Sequence, residues 1–202
     1  MCEDERVLAE KTLDEGLTHS ETLMPLIDET LNSADTDISE IGLVAAVNGP
    51  GSFTGLRIGL CAAKGICRTL GIPACAIDTL ALLAENEKGF DGLIVPMLDA
   101  RRGQVYAAVF ENGKRVTADA ACPVEDIVKL TGDRKTIFVG DGAVALKDKI
   151  LGIRPDAVFS ENNFPLAKNA AALIKSTPKT DAFSLMPEYL RESQAERKKN
   201  ER

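Results

Sequence analysis

The stretch NGPGSFTGLRIGLCAAKGI, residues 48–66, constrains the fold more than any other. An apolar run over 43–47 ends in a glycine-rich turn and opens directly onto an alanine-rich segment with helical periodicity. A further short apolar run, GIPACAI, follows and ends at Asp78, and TLALLAENE then reads as a helix. Strand, turn, helix, strand, helix is the rhythm of an α/β fold with parallel strands. The helix expected over 54–70 puts Leu56, Leu60, Ala63, Cys67 and Leu70 on one stripe and Gly55, Gly59 and Ala62 on a smaller second one.

Three chemistries could use such a turn. A nucleotide P-loop needs G-x-x-x-x-G-K-[ST], because the lysine and hydroxyl meet the terminal phosphates and Mg²⁺; here Leu56 and Arg57 stand in those places. A nucleophile elbow around Ser52 needs glycines where Pro50 and Thr54 stand, and the single histidine, His19, falls at the start of another helix. A lone histidine also makes a poor metal site, since ligands usually converge in groups. What remains is a turn with free backbone N–H groups, formed by Gly49, Gly51, Ser52, Thr54 and Gly55, which could face a phosphate or could simply seat a helix close on a sheet. Glycines inside the helix favour a packing role. Gly59 and Gly65 each cost roughly 1 kcal/mol relative to alanine, and close approach of another helix to the Gly55, Gly59, Ala62 face would offset that.

Elsewhere, RVLAEKTL (residues 6–13) alternates enough to predict a strand, and DEG a turn. THSETLMPLIDETL follows, with Thr18 and Glu21 spaced as a capping box and Leu23, Leu26, Ile27 and Leu31 on one apolar face; Pro25 must lie in the first turns or kink this helix. DISEIGLVAAV predicts a helical turn running into a buried strand. Beyond Gly89 the pattern changes to a buried strand, a turn over 99–103, an alternating strand and a turn over 111–113. PVEDIVKLT predicts a helix, KTIFVGDGAVAL a strand, a second glycine turn and a helix start, DAVFS a strand, and PLAKNAAALIKS a helix. A lobe boundary is therefore expected at 88–92, giving lobes 1–90 and 91–202. Arg101 and Arg102, in the turn after a buried strand, read as an exposed pair that could meet a partner's acids.

Composition sets limits on partners. The chain of 202 residues carries a formal net charge of −7, and nucleic-acid affinity comes largely from lysine and arginine neutralising phosphates. Any link to RNA is thus expected to run through a partner, the basic tail ERKKNER being interleaved with acids. The opening MCEDERVLAEK has acids where a signal peptide wants bases, and no long apolar run exists, so a cytoplasmic protein without a membrane partner is expected. The five cysteines show neither C-x-x-C spacing nor an even count; Cys61 and Cys67 read as small buried thiols.

The segment GPGSFTGLRIGLCAAKG closely resembles the signature of the TsaB (YeaZ) family, and EGLTHSETLMPLID, LDARRGQVYAAVF and MPEYLRESQAE agree with it in the same order, reaching from about residue 6 to 196. The resemblance implies an α/β, two-lobed fold of the actin, sugar-kinase and heat-shock-chaperone (ASKHA) type. It implies a non-catalytic scaffold and activator of TsaD in making N6-threonylcarbamoyladenosine in tRNA, next to the anticodon, together with the ATPase TsaE. ATP and metal are then expected on the partner subunits, with no cofactor, catalytic residue or metal site on this chain alone and tRNA contacted only indirectly. In that family two first-lobe helices form either a homodimer or the heterodimer with TsaD; here they correspond to residues 19–31 and 54–70, with an interface expected at His19, Leu23, Ile27, Gly55, Gly59, Ala62 and Ile66. The catalytic relative carries a histidine pair after the strand matching IPACAI, where this chain has IDTLALLAE. Family members open with a strand carrying Asp-Thr-Ser and a second strand; this chain begins MCEDE, so the resemblance implies a first lobe truncated at its N-terminus and reduced stability, with the strands at 7–13 and 43–47 lacking a common neighbour. The alternative is an independent ASKHA-type small-molecule kinase or ATPase, with glycine turns at 49–55 and 140–142 and Asp99 as a metal-facing carboxylate.

Overall fold

The computed structural model describes residues 1–4, 6–13 and 19–191, with His19 described by its backbone alone. The chain divides into two compact units: one comprises Met1–Asp78 with Leu166–Pro187, the other Thr79–Pro165 with the chain from Glu188 onward.

In the first unit, two short strands, β1 (Cys2–Glu3) and β2 (Arg6–Val7), pair antiparallel. The strand expected over 6–13 stops at Val7: among the described residues only β1 offers it a ladder, and an isolated two-stranded ribbon is marginal. Helix α1 (His19–Ser33) follows with Pro25 inside it; the Thr18 end of the expected capping box lies outside the described residues. A capping box does form at the turn before the next strand, where Asp37 and Glu40 satisfy each other's backbone N–H groups across the turn Ile38–Glu40. Strand β3 (Val44–Gly49), helix α2 (Phe53–Leu70) and strand β4 (Ala74–Asp78) make the predicted crossover unit. β3 and β4 run parallel with Val44 opposite Ala74 and Val47 opposite Ile77. β12 (Lys179–Thr180) closes the other side of β4 antiparallel, giving the order β12-β4-β3. Leu60, Ala63 and Cys67 of α2 bury against Ala74 and Leu185, so the expected helical stripe is the core face. Leu70 is only half-buried, and Cys61, expected to be buried, is exposed on another face of α2.

In the second unit α3 (Thr79–Ala84) precedes the central strand β5 (Leu93–Asp99). β6 (Gln104–Ala107), β7 (Phe110–Glu111), β8 (Lys114–Arg115) and β9 (Ala120–Pro123) follow antiparallel, then α4 (Val124–Leu130), β10 (Thr136–Val139), α5 (Asp141–Ala145), α6 (Lys147–Ile153) and β11 (Val158–Phe159). β10 lies parallel to β5 and to β11. Side chains alternate across a strand, and β5 uses both faces. Leu93, Val95 and Met97 join Val124, Ile127, Phe138 and Ile150 on one side, while Ile94 joins Leu80, Leu83, Ile137 and Val139 on the other. A strand covered on both faces reads as a continuous apolar run, which is how LIVPML appears in the sequence.

The division into units differs from the expected 1–90 and 91–202 lobes in two places. α3 packs its leucines on the β5–β10 sheet, which moves the boundary to Asp78. Residues 166–187, with α7 (Ala170–Ile174), return to the first unit, where β12 extends the β4 edge and Leu185 is fully buried beneath α2.

Candidate functional site

The β3–α2 junction is built as a helix start. Ser52 is the N-cap: its hydroxyl accepts from the Gly55 N–H at 3.3 Å and its carbonyl accepts from the Leu56 N–H at 2.9 Å. The helix therefore begins at Phe53, one residue earlier than expected, with Thr54 exposed in its first turn. The Ser52 hydroxyl is thus spent on the helix, as capping serines are. Gly49 sits at φ 138°, in the region that favours glycine, whereas a Cβ on Gly51 would make ordinary contact with the Leu56 side chain at 3.8 Å. At the far end Gly71, at φ 67°, supplies the left-handed C-cap, and its N–H bonds to the Cys67 carbonyl.

The expected interface residues fall on two helices that pack against each other. Leu23, Ile27 and their neighbours Leu26 and Leu31 are half-buried on α1, and Met24 remains 45% exposed. On α2, at about 100° per residue, Gly55, Gly59, Ala62 and Ile66 line up on one stripe roughly a quarter-turn from the buried Leu56, Leu60, Ala63 and Cys67; all four are half-buried. A Cβ built on Gly59 would meet no atom within 4 Å, and the same holds for Gly65. Close approach by any of the described residues therefore explains neither glycine. The side of α2 bearing Lys64 and Arg68 is occupied differently. Lys64 reaches the Phe183 carbonyl at 3.4 Å, and the Arg68 guanidinium lies 4.8 Å from the Phe183 ring, so the segment leading to Met186 is strapped along that side.

Asp99, considered as a metal-facing carboxylate, is engaged locally: it accepts from the Arg101 N–H at 2.8 Å and pairs with the Arg101 guanidinium at 3.3 Å. At the second glycine turn, Gly140 at φ 109° brings its backbone against the Met97 carbonyl, and its N–H donates to Asn163 at 2.9 Å. The sequence signal missed there is Asn163, whose amide also donates to the Ser160 carbonyl and so ties the turn to a loop far along the chain. Burial pushes the thiols of Cys67, Cys75 and Cys122 up from their ordinary range. Among the described residues no three His, Cys, Asp or Glu side chains are grouped to hold a metal ion, and no helix is long and apolar enough to cross a membrane.

Comparison with known proteins places this geometry. Residues 15–198 match the family model described as TsaD, tRNA N6-adenosine threonylcarbamoyltransferase. A Bacillus subtilis protein, tRNA threonylcarbamoyladenosine biosynthesis protein TsaB, is 33% identical over 98% of this chain and 90% of its own length. The Escherichia coli protein of the same name is 33% identical over 47% of this chain and 43% of its own. The structure of YeaZ from Pseudomonas aeruginosa superposes with a TM-score of 0.74 at 24% identity, covering 88% of this chain and 92% of that one, a likeness of fold. With its two-lobed α/β architecture, the glycine-turn signature in place at the head of α2 and a TsaB relative aligned over nearly its whole length, the chain belongs to the TsaB (YeaZ) family.

Proposed function

We propose that this chain acts in the biosynthesis of N6-threonylcarbamoyladenosine in tRNA, as a non-catalytic scaffold and activator that docks a TsaD-like catalytic subunit on its α1–α2 face. The names of its relatives support the pathway. The observation that carries the docking face is the empty space over Gly59: a helix-interior glycine costs roughly 1 kcal/mol relative to alanine, and beyond the helix's own backbone no atom of the described residues lies within 4 Å of where its Cβ would stand. A helix from another molecule, seated on Gly55, Gly59, Ala62 and Ile66 and flanked by Leu23 and Ile27, gives that glycine a purpose. The same face serves a second copy when no partner is present. ATP and metal belong to the TsaD-like and TsaE-like subunits, and most of the affinity for tRNA is theirs as well, this chain carrying a net charge of −7 in a cytoplasmic assembly.

The test is the mass of the chain by size-exclusion chromatography with light scattering, alone and mixed with the TsaD-like protein from the same source. A one-to-one complex that Gly59→Leu abolishes, in a variant whose circular dichroism matches the parent and whose thermal midpoint does not fall below it, is the expected result. Unchanged assembly by Gly59→Leu overturns the docking face.

A further inference from the structure

The turn joining β5 to β6 holds three consecutive residues in the left-handed region: Arg101 at φ 66°, Arg102 at φ 57° and Gly103 at φ 72°. Glycine adopts this conformation freely; side chains with a Cβ clash there, and asparagine or aspartate tolerate it better than arginine. The backbone strain is held by a dense set of bonds. The Ala100 N–H donates to the Gln104 carbonyl at 3.0 Å, the Gln104 N–H to the Arg101 carbonyl at 3.1 Å, and the Arg101 N–H to Asp99 at 2.8 Å. The Asp99 N–H in turn donates to Asp141 at 3.0 Å, and Arg191 donates to the Ala100 carbonyl at 3.0 Å while lying 5.6 Å from the Tyr106 ring. Strained residues kept by an over-determined surround are a pointer to use.

What the turn presents is cationic. The Arg101 side chain is 85% exposed and Arg102 is exposed beside it. The Lys149 ammonium reaches so close to Gly103 that a Cβ there would stand 2.9 Å from it. Asp99 partly neutralises Arg101, and Glu125, 3.6 Å from the Lys149 ammonium, partly neutralises that group. Arg102 and Arg191 have no carboxylate partner among the described residues, and the N–H groups of Arg102 and Gly103 donate no bond to any of them either. Arginine forks, a lysine and free backbone N–H groups are the donors that hold phosphate oxygens in nucleic-acid complexes. The geometry points to the β5–β6 turn as a direct contact for the phosphate backbone of RNA. The choice of RNA as the anion rests on the tRNA-modifying role proposed above; the cationic turn itself does not. In an acidic chain the contact spans one or two phosphates and orients RNA that other subunits hold.

The test uses the full chain alone with a short RNA hairpin at low salt, read by amide chemical shifts, so it is independent of whether any partner docks on α1–α2. Shifts at Arg101, Arg102 and Gly103 that saturate with RNA are expected. In Arg102→Gly they are lost although the turn is relieved and the thermal midpoint does not fall, while Arg102→Lys keeps them in part. Each phosphate contact removed flattens the dependence of log K on log salt by about 0.7–0.9. RNA shifts confined to other residues, an unaltered salt slope in Arg102→Gly, or a glutamate-rich peptide binding the turn where RNA does not, would each overturn the assignment, the last in favour of an acidic protein partner.

Discussion

Replacing Gly59 and Gly65 by alanine separates intrinsic helix cost from interface use. Both lie inside α2 (Phe53–Leu70), away from its caps at Ser52 and Gly71, and at neither does an added Cβ meet an atom within 4 Å. Each substitution should thus recover the difference in helix propensity, about 0.8–1 kcal/mol, with no clash to subtract. For a chain of this size 1 kcal/mol moves the thermal midpoint by about 2–4 °C, so the pair should raise it by roughly 4–8 °C. The two sites differ in what surrounds them in an assembly. Gly65 is exposed on the side of α2 away from the core stripe, about a quarter-turn from the docking stripe that contains Gly59. Gly65→Ala should stabilise equally at every protein concentration, whereas the gain from Gly59→Ala should shrink as concentration rises and the self-associated form, which needs the bare backbone, is weakened. Differential scanning calorimetry over a wide concentration range, paired with light scattering, reads both effects. A loss of stability in Gly59→Ala at the lowest concentration would refute the open space above it, and an equal gain at all concentrations with undiminished self-association would refute its place in the interface.

Two further outcomes concern the folded state itself. Gly140→Ala places a Cβ 2.2 Å from the Met97 carbonyl oxygen and 3.3 Å from Leu83, at φ 109°; the clash with β5 backbone and the strained φ together should cost about 3–5 kcal/mol, measured by urea unfolding, and a cost below about 1 kcal/mol would show that β5 yields. Acid should also destabilise the chain. The Asp37 carboxyl is held below its ordinary range by bonds from Ser39, that of Asp156 by Arg154, and that of Asp181 by Ser184 and Phe183. The folded state therefore binds these protons less readily than the unfolded one. The stabilisation is complete above the unfolded carboxylate value, about 3.9, and is lost as pH falls through the lower folded values. Denaturant midpoints across that window should drop, and Asp181→Asn should flatten the drop; a parallel curve for that variant would remove Asp181 from the account.

Much of the fold was legible locally. The α2 stripe, the β5 and β10 apolar runs and the crossover from β3 to β4 follow from periodicity and turn residues, which act within a few residues. The same reading misplaced Cys61, because an apolar-looking helix has more sides than one sheet covers. β12, β9 and α6 carry too little pattern to stand out, and exist because β4, β6 and α4 offer them edges and surfaces to complete. The docking stripe was visible as glycines at helical spacing; that none of the described residues covers Gly59 was not, since open space depends on where every other residue is placed. The turn over 99–103 was legible, but its conformation was not: two arginines in left-handed conformation contradict local preference and are held there by Asp99, Asp141 and Arg191, the last two far along the chain. The sequence by itself determined the types of the strongly patterned elements and the family signature, because those depend on neighbours along the chain. Only the tertiary structure decided which unit owns α3 and residues 166–187, because membership depends on where Leu80, Leu83 and Leu185 find apolar surface to bury, and burial is set by residues that the chain brings together only when it folds.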